Sequence, residues 1–131
     1  MNKTSFTVFG HPEPQGSTRA FIPKGWNWPV ITTANAKMKP WRQQISGAAA
    51  DLRAPVLEGP VRLLMQFFLA KPKSTKRASP HVKPDIDKLA RAVSDALTGI
   101  LFCDDAQVVL LVASKHYGLP ERVEIEVGNA A

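Results

Sequence analysis

At 131 residues, with 44% hydrophobic and 21% charged side chains, the chain is sized and composed for one globular domain with its own core. Its 17 Lys/Arg against 11 Asp/Glu leave a formal net charge of +6, which favours a polyanionic partner. The single cysteine excludes a disulfide framework and a zinc set, and no apolar run approaches the roughly 20 residues of a membrane span.

The first ten residues lack the apolar stretch of a signal peptide, so the expectation is a soluble cytoplasmic protein without membrane contact. Residues 4–9 (TSFTVF) alternate as a strand, with Phe6 and Val8 on one face. Residues 10–17 (GHPEPQGS) end it and read as a plain connector, since no Gly-Lys-Ser/Thr follows to make a phosphate loop. Residues 20–33 suggest a ragged hairpin turning near Lys24-Gly25. Trp26 and Trp28 are read as cover for core or loop surface, with base stacking the alternative.

A helix is predicted from about Pro40 to Arg53, with Trp41, Ile45, Ala48, Ala49 and Leu52 as its buried stripe. Residues 61–70 (VRLLMQFFLA) are apolar on both faces, which predicts a central strand covered by helices. A second helix is expected from about Asp87 to Thr98, its stripe Ile86, Leu89, Val93, Ala96 and Leu97, stopped by Gly99. A long strand follows (AQVVLLVASKH), and Gly118-Leu119-Pro120 turns it into RVEIEV as an antiparallel hairpin with Glu124 and Glu126 facing solvent. The reading is a single α/β domain over residues 1–131, a mixed sheet of about four main strands with two helices in the order β-α-β-α-β-β, with a possible extra hairpin and Cys103 as a buried, inert thiol.

Chemistry concentrates between residues 71 and 107. This stretch holds five of the six aspartates: Asp85, Asp87, Asp95, Asp104 and Asp105. Lys71, Lys73, Lys76 and Arg77 form a basic loop just upstream, and Lys83, Lys88 and Arg91 add to it. A charge run is usually a solvated face, but this one leads directly into the first aspartate pair, which favours phosphate contact. One aspartate at a helix start is explained by capping; two spaced Asp-x-Asp exceed that need. A dense carboxylate group without a cation repels itself, so the pattern implies Mg²⁺, a hard ion satisfied by two or three carboxylates. Asp104 and Asp105, at the edge of a strand, are expected to face opposite ways, and spacing does not choose between them. Asp87, Arg91 and Asp95 lie four apart on one ridge, and Asp95 is read mainly as a partner of Arg91.

Lys83-Pro84-Asp85-Ile86-Asp87-Lys88-Leu89, Asp95-Ala96-Leu97-Thr98-Gly99 and Asp104-Asp105-Ala106-Gln107-Val108 closely resemble the RusA family of Holliday-junction resolvases. The resemblance implies a homodimeric, Mg²⁺-dependent endodeoxyribonuclease, with Mn²⁺ as a substitute cation. Its substrate would be four-way junction DNA, nicked symmetrically to leave 5′-phosphate and 3′-hydroxyl ends. It places the metal ligands on Asp85, Asp87 and Asp105, and implies a phage-borne gene as a plausible source. Two positions depart from the family pattern: Lys88 stands where Asn is usual and Arg91 where Lys is usual. Arginine does not give up its proton, so Arg91 is expected to act by stabilising phosphate charge; Lys88 takes the lysine's place only if proton transfer is required.

Three rivals compete with this reading. A non-catalytic basic DNA-binding module explains the charge but not the aspartates. A Mn²⁺-dependent nucleotide-sugar transferase needs more chain, and a small-molecule phosphohydrolase does not need the positive charge.

Overall fold

The computed structural model describes residues 3–16, 18–33 and 36–130. Ser17, the last residue of the proline-rich connector, lies outside the described residues, as do Met1 and Asn2. The elements are β1 (Lys3–Phe9), β2 (Thr18–Phe21), β3 (Val30–Thr33), α1 (Met38–Asp51), β4 (Val61–Leu69), α2 (Ile86–Leu97), a single 3-10 turn (Asp105–Gln107), β5 (Val108–Tyr117) and β6 (Arg122–Asn129). Strands β1, β6, β4 and β5 form one mixed sheet in that order, and β2 and β3 form a separate antiparallel ribbon. This is the mixed α/β domain with two helices that the periodicities predict, and the expected hairpin at residues 20–33 is present.

The strict alternation of β4 sets the core. Val61, Leu63, Met65, Phe67 and Leu69 are buried, and they pack with Val123, Ile125 and Val127 of β6 and Val8 of β1. Trp41, Ile45 and Ala49 of α1 and Leu89, Val93 and Leu97 of α2 close the same side. Each buried Val, Leu, Ile, Met or Phe among them contributes about 1.5–3 kcal/mol, which outweighs any local propensity in deciding register. Among the described residues no helix is long and apolar enough to cross a membrane.

Four local expectations differ from the structure. First, β5 and β6 are not a hairpin: β4 lies between them, parallel to β5 and antiparallel to β6. The most apolar strand takes the interior, where both its backbone edges are paired, and the 118–121 turn passes around its end with Gly118 N–H donating to the Leu69 carbonyl at 2.9 Å. Second, the helices cover only one face of the sheet. Phe68, on the other face, is covered by Arg122, whose guanidinium stands 3.9 Å from the ring centroid, and by the His116 ring at 5.2 Å. Third, Leu52 is 39% exposed, because α1 ends at Asp51 and Met38 completes the stripe at the other end. Fourth, Cys103 is exposed, since Phe102 beside it takes the inward position.

Candidate active site

The loop after β4, the first turn of α2 and the far end of β5 meet at one end of the domain. Asp85 is the N-cap residue of α2, extended at φ −70° and ψ 137°, and Asp87 lies in the first turn. An aspartate here normally accepts from a free N–H of the helix, but the Asp85 side chain makes no cap hydrogen bond. Its carboxylate is half-exposed, with Lys88 Nζ 3.9 Å away. The free N–H groups and the dipole of α2 add positive potential at this point.

This geometry is held from β5. Lys115 Nζ donates to the carbonyls of Val82 and Pro84, both at 2.8 Å, and so fixes the residue that precedes Asp85. Arg77 Nε donates to Tyr117 Oη at 3.2 Å, tying the basic loop to the same strand. Gln15 N–H donates to the Lys88 carbonyl at 2.9 Å, which brings the 10–16 connector against the start of α2. Lys71, Lys73, Lys76 and Lys83 are exposed along the loop, whereas Arg77 is half-buried. Arg91 is exposed on α2 and, among the described residues, makes no ion pair with Asp87 or Asp95. The expected Arg91–Asp95 partnership is therefore absent.

The second aspartate pair stands in a different setting from the one predicted, ahead of a 3-10 turn and not within a strand. Asp104 caps that turn: its Oδ1 accepts from Ala106 N–H at 2.9 Å. Gln107 completes a capping box, its Oε1 accepting from Cys103 N–H at 2.9 Å and Asp104 N–H at 3.0 Å. Its Nε2 donates to the Leu57 and Gly59 carbonyls, both at 3.0 Å, which fastens the turn to the segment entering β4. The Ala106 N–H, followed by the Asp105 side chain, holds the Asp104 carboxyl below its usual value. Asp104 is thus committed to the turn, whereas among the described residues no backbone N–H donates to the exposed Asp105 carboxylate.

Topology separates the two pairs. The parallel register of β4 and β5 runs from Val61 opposite Val108 to Leu69 opposite Tyr117. The chain leaves β4 after Leu69 and must return to the Val108 end, and α2 makes that return. Asp85 and Asp87 therefore sit at one end of α2 and Asp105 beyond the other, with the helix between them about 18 Å long. Accordingly, no three His, Cys, Asp or Glu side chains converge as a metal group among the described residues. Glu124 and Glu126 lie elsewhere, on the open face, where Arg122 pairs with Glu124 at 2.8 Å and Arg62 and Lys3 pair with Glu126 at 2.6 and 3.3 Å. A hollow lined by Ser5, Thr7, Gln66, Ser114, Glu124 and Glu126 opens on that face and contains none of the aspartates.

Sequence reasoning missed Lys115 and Gln107. Lys115 carried a signal, being a cation in the same strand phase as Leu111 and Ala113. Gln107 carried one too, since Asp104-x-x-Gln107 has capping-box spacing.

The chain matches the family model described as Endodeoxyribonuclease RusA over residues 11–128, a span that includes both aspartate pairs and the basic loop. It is also similar to a protein of Bacillus subtilis (strain 168) named "Uncharacterized protein YqaN". The two are 32% identical over 140 residues, covering 97% of this chain and 96% of the relative. With a match over most of its length and the mixed sheet and two helices described above, this chain belongs to the RusA endodeoxyribonuclease family.

Proposed function

We propose that this protein is a Mg²⁺-dependent, structure-selective endodeoxyribonuclease that resolves Holliday junctions by symmetric paired nicks, acting in DNA recombination and repair in the cytoplasm. The observation that carries the reading is the uncapped Asp85 at the start of α2, beside an exposed basic loop. A carboxylate that forgoes a cap worth about 1 kcal/mol keeps its oxygens free for an outside ligand.

The donor set fits magnesium in kind. Asp85, Asp87 and Asp105 are exposed hard-oxygen ligands, and Mg²⁺ needs only one or two carboxylates together with water and phosphate. Mn²⁺ suits the same oxygens. When bound, the ion supplies an activated water and neutralises charge on the phosphate. The chain's own residues do the rest. Lys71, Lys73, Lys76, Arg77 and Lys83 contact the phosphate backbone, and Lys88 lies against Asp85 and restrains it. Arg91 stabilises the negative charge that builds on the reacting phosphate. The products carry 5′-phosphate and 3′-hydroxyl ends, and two nicks related by symmetry call for a homodimer.

The test uses a synthetic four-way junction and a matched linear duplex, each with Mg²⁺ or with EDTA. Paired nicks confined to the junction and dependent on Mg²⁺ are expected. Equal cutting of the duplex would reduce the protein to a general nuclease. No cutting would favour the non-catalytic DNA-binding module, the second reading, which rests on the exposure of Lys71, Lys73 and Lys76.

A further inference from the structure

Trp26 and Trp28 lie on the loop that joins β2 to β3, and neither covers the core: they are 47% and 58% exposed. Ile22, where the loop begins, is 63% exposed, and Lys24 is exposed between them. Apolar residues standing singly on a surface need no explanation, but three gathered at one tip mark a contact surface. The turn sets their geometry. Trp26 N–H donates to the Pro23 carbonyl at 3.0 Å, and Gly25 stands at φ 84°, the positive value a type II turn requires at its third residue. The two indole rings are 5.2 Å apart between centroids and tilted by 54°. Tilted packing lets the rings support each other, and their exposure leaves aromatic surface open to a further planar group.

The surrounding segment identifies that group. From Pro14 to Ala50 the chain carries five cations, Arg19, Lys24, Lys37, Lys39 and Arg42, and no Asp or Glu. Aromatic rings within an uninterrupted positive segment suit a strand of nucleic acid, whose phosphates meet the cations while its bases stack on the rings. Bases inside a duplex are already stacked on one another, so an unpaired strand is the form that offers them. The ribbon also leaves the domain at a telling place. Gln15 N–H donates to the Lys88 carbonyl at 2.9 Å, and β2 begins three residues later. Eleven residues separate Gln15 from Trp26. That is a reach of at most about 40 Å, little more than one turn of duplex DNA. One branched DNA can therefore touch the ribbon tip and the basic loop together.

We infer that the β2–β3 ribbon is a single-stranded DNA-binding element, in which Trp26 and Trp28 stack on unpaired bases and Lys24 meets the adjoining phosphate. This activity is separate from strand cutting and goes beyond the nuclease reading, since it needs neither a metal ion nor the aspartates. It directs the protein to branched DNA that carries an unpaired stretch beside the branch.

Binding is measured with EDTA present, so that the outcome does not depend on whether the protein cuts. A thymidylate oligomer of roughly 12 nucleotides should quench the tryptophan fluorescence of the wild type, and a duplex should bind without comparable quenching. Trp41, only 4% exposed, is shielded from that change. The Trp26→Leu/Trp28→Leu double variant should lose roughly tenfold or more in affinity for the oligomer, read by anisotropy of a labelled strand. Its affinity for duplex should change by less than about twofold, because phosphate contacts carry that binding. Trp26→Phe/Trp28→Phe, which keeps a ring at each place, should recover most of the loss. A four-way junction with an unpaired thymidylate tail should bind the wild type more tightly than a fully paired one, and the leucine variant should show no such preference.

An unquenched wild type, an oligomer affinity unchanged in the leucine variant, or an equal loss for oligomer and duplex overturns the proposal. So does a blue shift of tryptophan emission on phosphatidylglycerol vesicles with no response to the oligomer, which assigns the tip to an anionic membrane instead. Should the leucine variant fail to fold, Lys24→Glu, exposed at the same tip, should still weaken oligomer binding severalfold. Unchanged affinity in that variant overturns the proposal as well.

Discussion

Asp85 and Asp104 occupy the same formal position, each just ahead of a helical turn, and they differ in what the carboxylate does there. Asp104 accepts the Ala106 N–H, whereas Asp85 makes no cap bond and faces Lys88. Sequence spacing made all four paired aspartates look alike; whether a side chain folds back on its own backbone depends on local torsions that spacing does not contain. The same holds for Arg91, whose spacing from Asp87 and Asp95 suggested a bridge that is not formed. Free of such a partner, it remains available to a phosphate. Arg91→Lys should keep most cutting activity and Arg91→Ala should lose roughly a hundredfold, the scale of one removed electrostatic stabiliser. Junction affinity, measured alongside the cutting rate, should change far less than the rate in the alanine variant. Full activity there would remove Arg91 from the mechanism.

At the scale of elements, β5 spans the two ends of the domain that carry the aspartate pairs. Its first residues follow the Asp105 turn, and Lys115 fastens the loop entering α2 with two charged hydrogen bonds. Lys115→Met keeps the strand's packing but leaves both carbonyls without their donor. It should destabilise the fold by roughly 1–3 kcal/mol in urea unfolding. It should also raise the Mg²⁺ concentration needed for half-maximal cutting at a temperature where the variant is fully folded. A purely structural lysine would lower stability and leave that Mg²⁺ dependence unchanged. Lys115→Arg, which restores a cationic donor, should recover part of both.

Across the whole molecule, the open face of the sheet carries a small ion-pair network on the side of the sheet away from the helices. Arg62 above all, then Lys3, holds the Glu126 carboxyl below its usual value. The Ala106 N–H, then the Asp105 side chain, does the same for Asp104. A carboxylate with a depressed folded pKa stabilises the fold fully above its unfolded value. That contribution is lost as pH falls through the lower, folded value, because the unfolded chain binds protons first. The thermal midpoint should therefore decline below pH about 4.5. Glu126→Gln should flatten part of that acid limb while leaving the neutral plateau less affected. An unchanged acid limb in the variant would show that the pair is too exposed to matter.

The linear pattern alone determined the elements and their polarity. Alternation through residues 61–69 predicted the buried strand, helical spacing at Leu89, Val93 and Leu97 predicted the inward stripe, and the aspartate motifs with their basic loop carried the family resemblance. These are consequences of local periodicity and side-chain chemistry, which a sequence records directly. Tertiary structure decided what lies beside what. β4 entered between β5 and β6 because the most apolar strand gains most from two paired edges. That placement made β5 an edge and put Asp105 a helix length from Asp85 and Asp87. Residues that read in sequence as one cluster are divided by the parallel crossover, because a chain that must return to the start of the next parallel strand carries its second aspartate pair to the opposite end of the sheet.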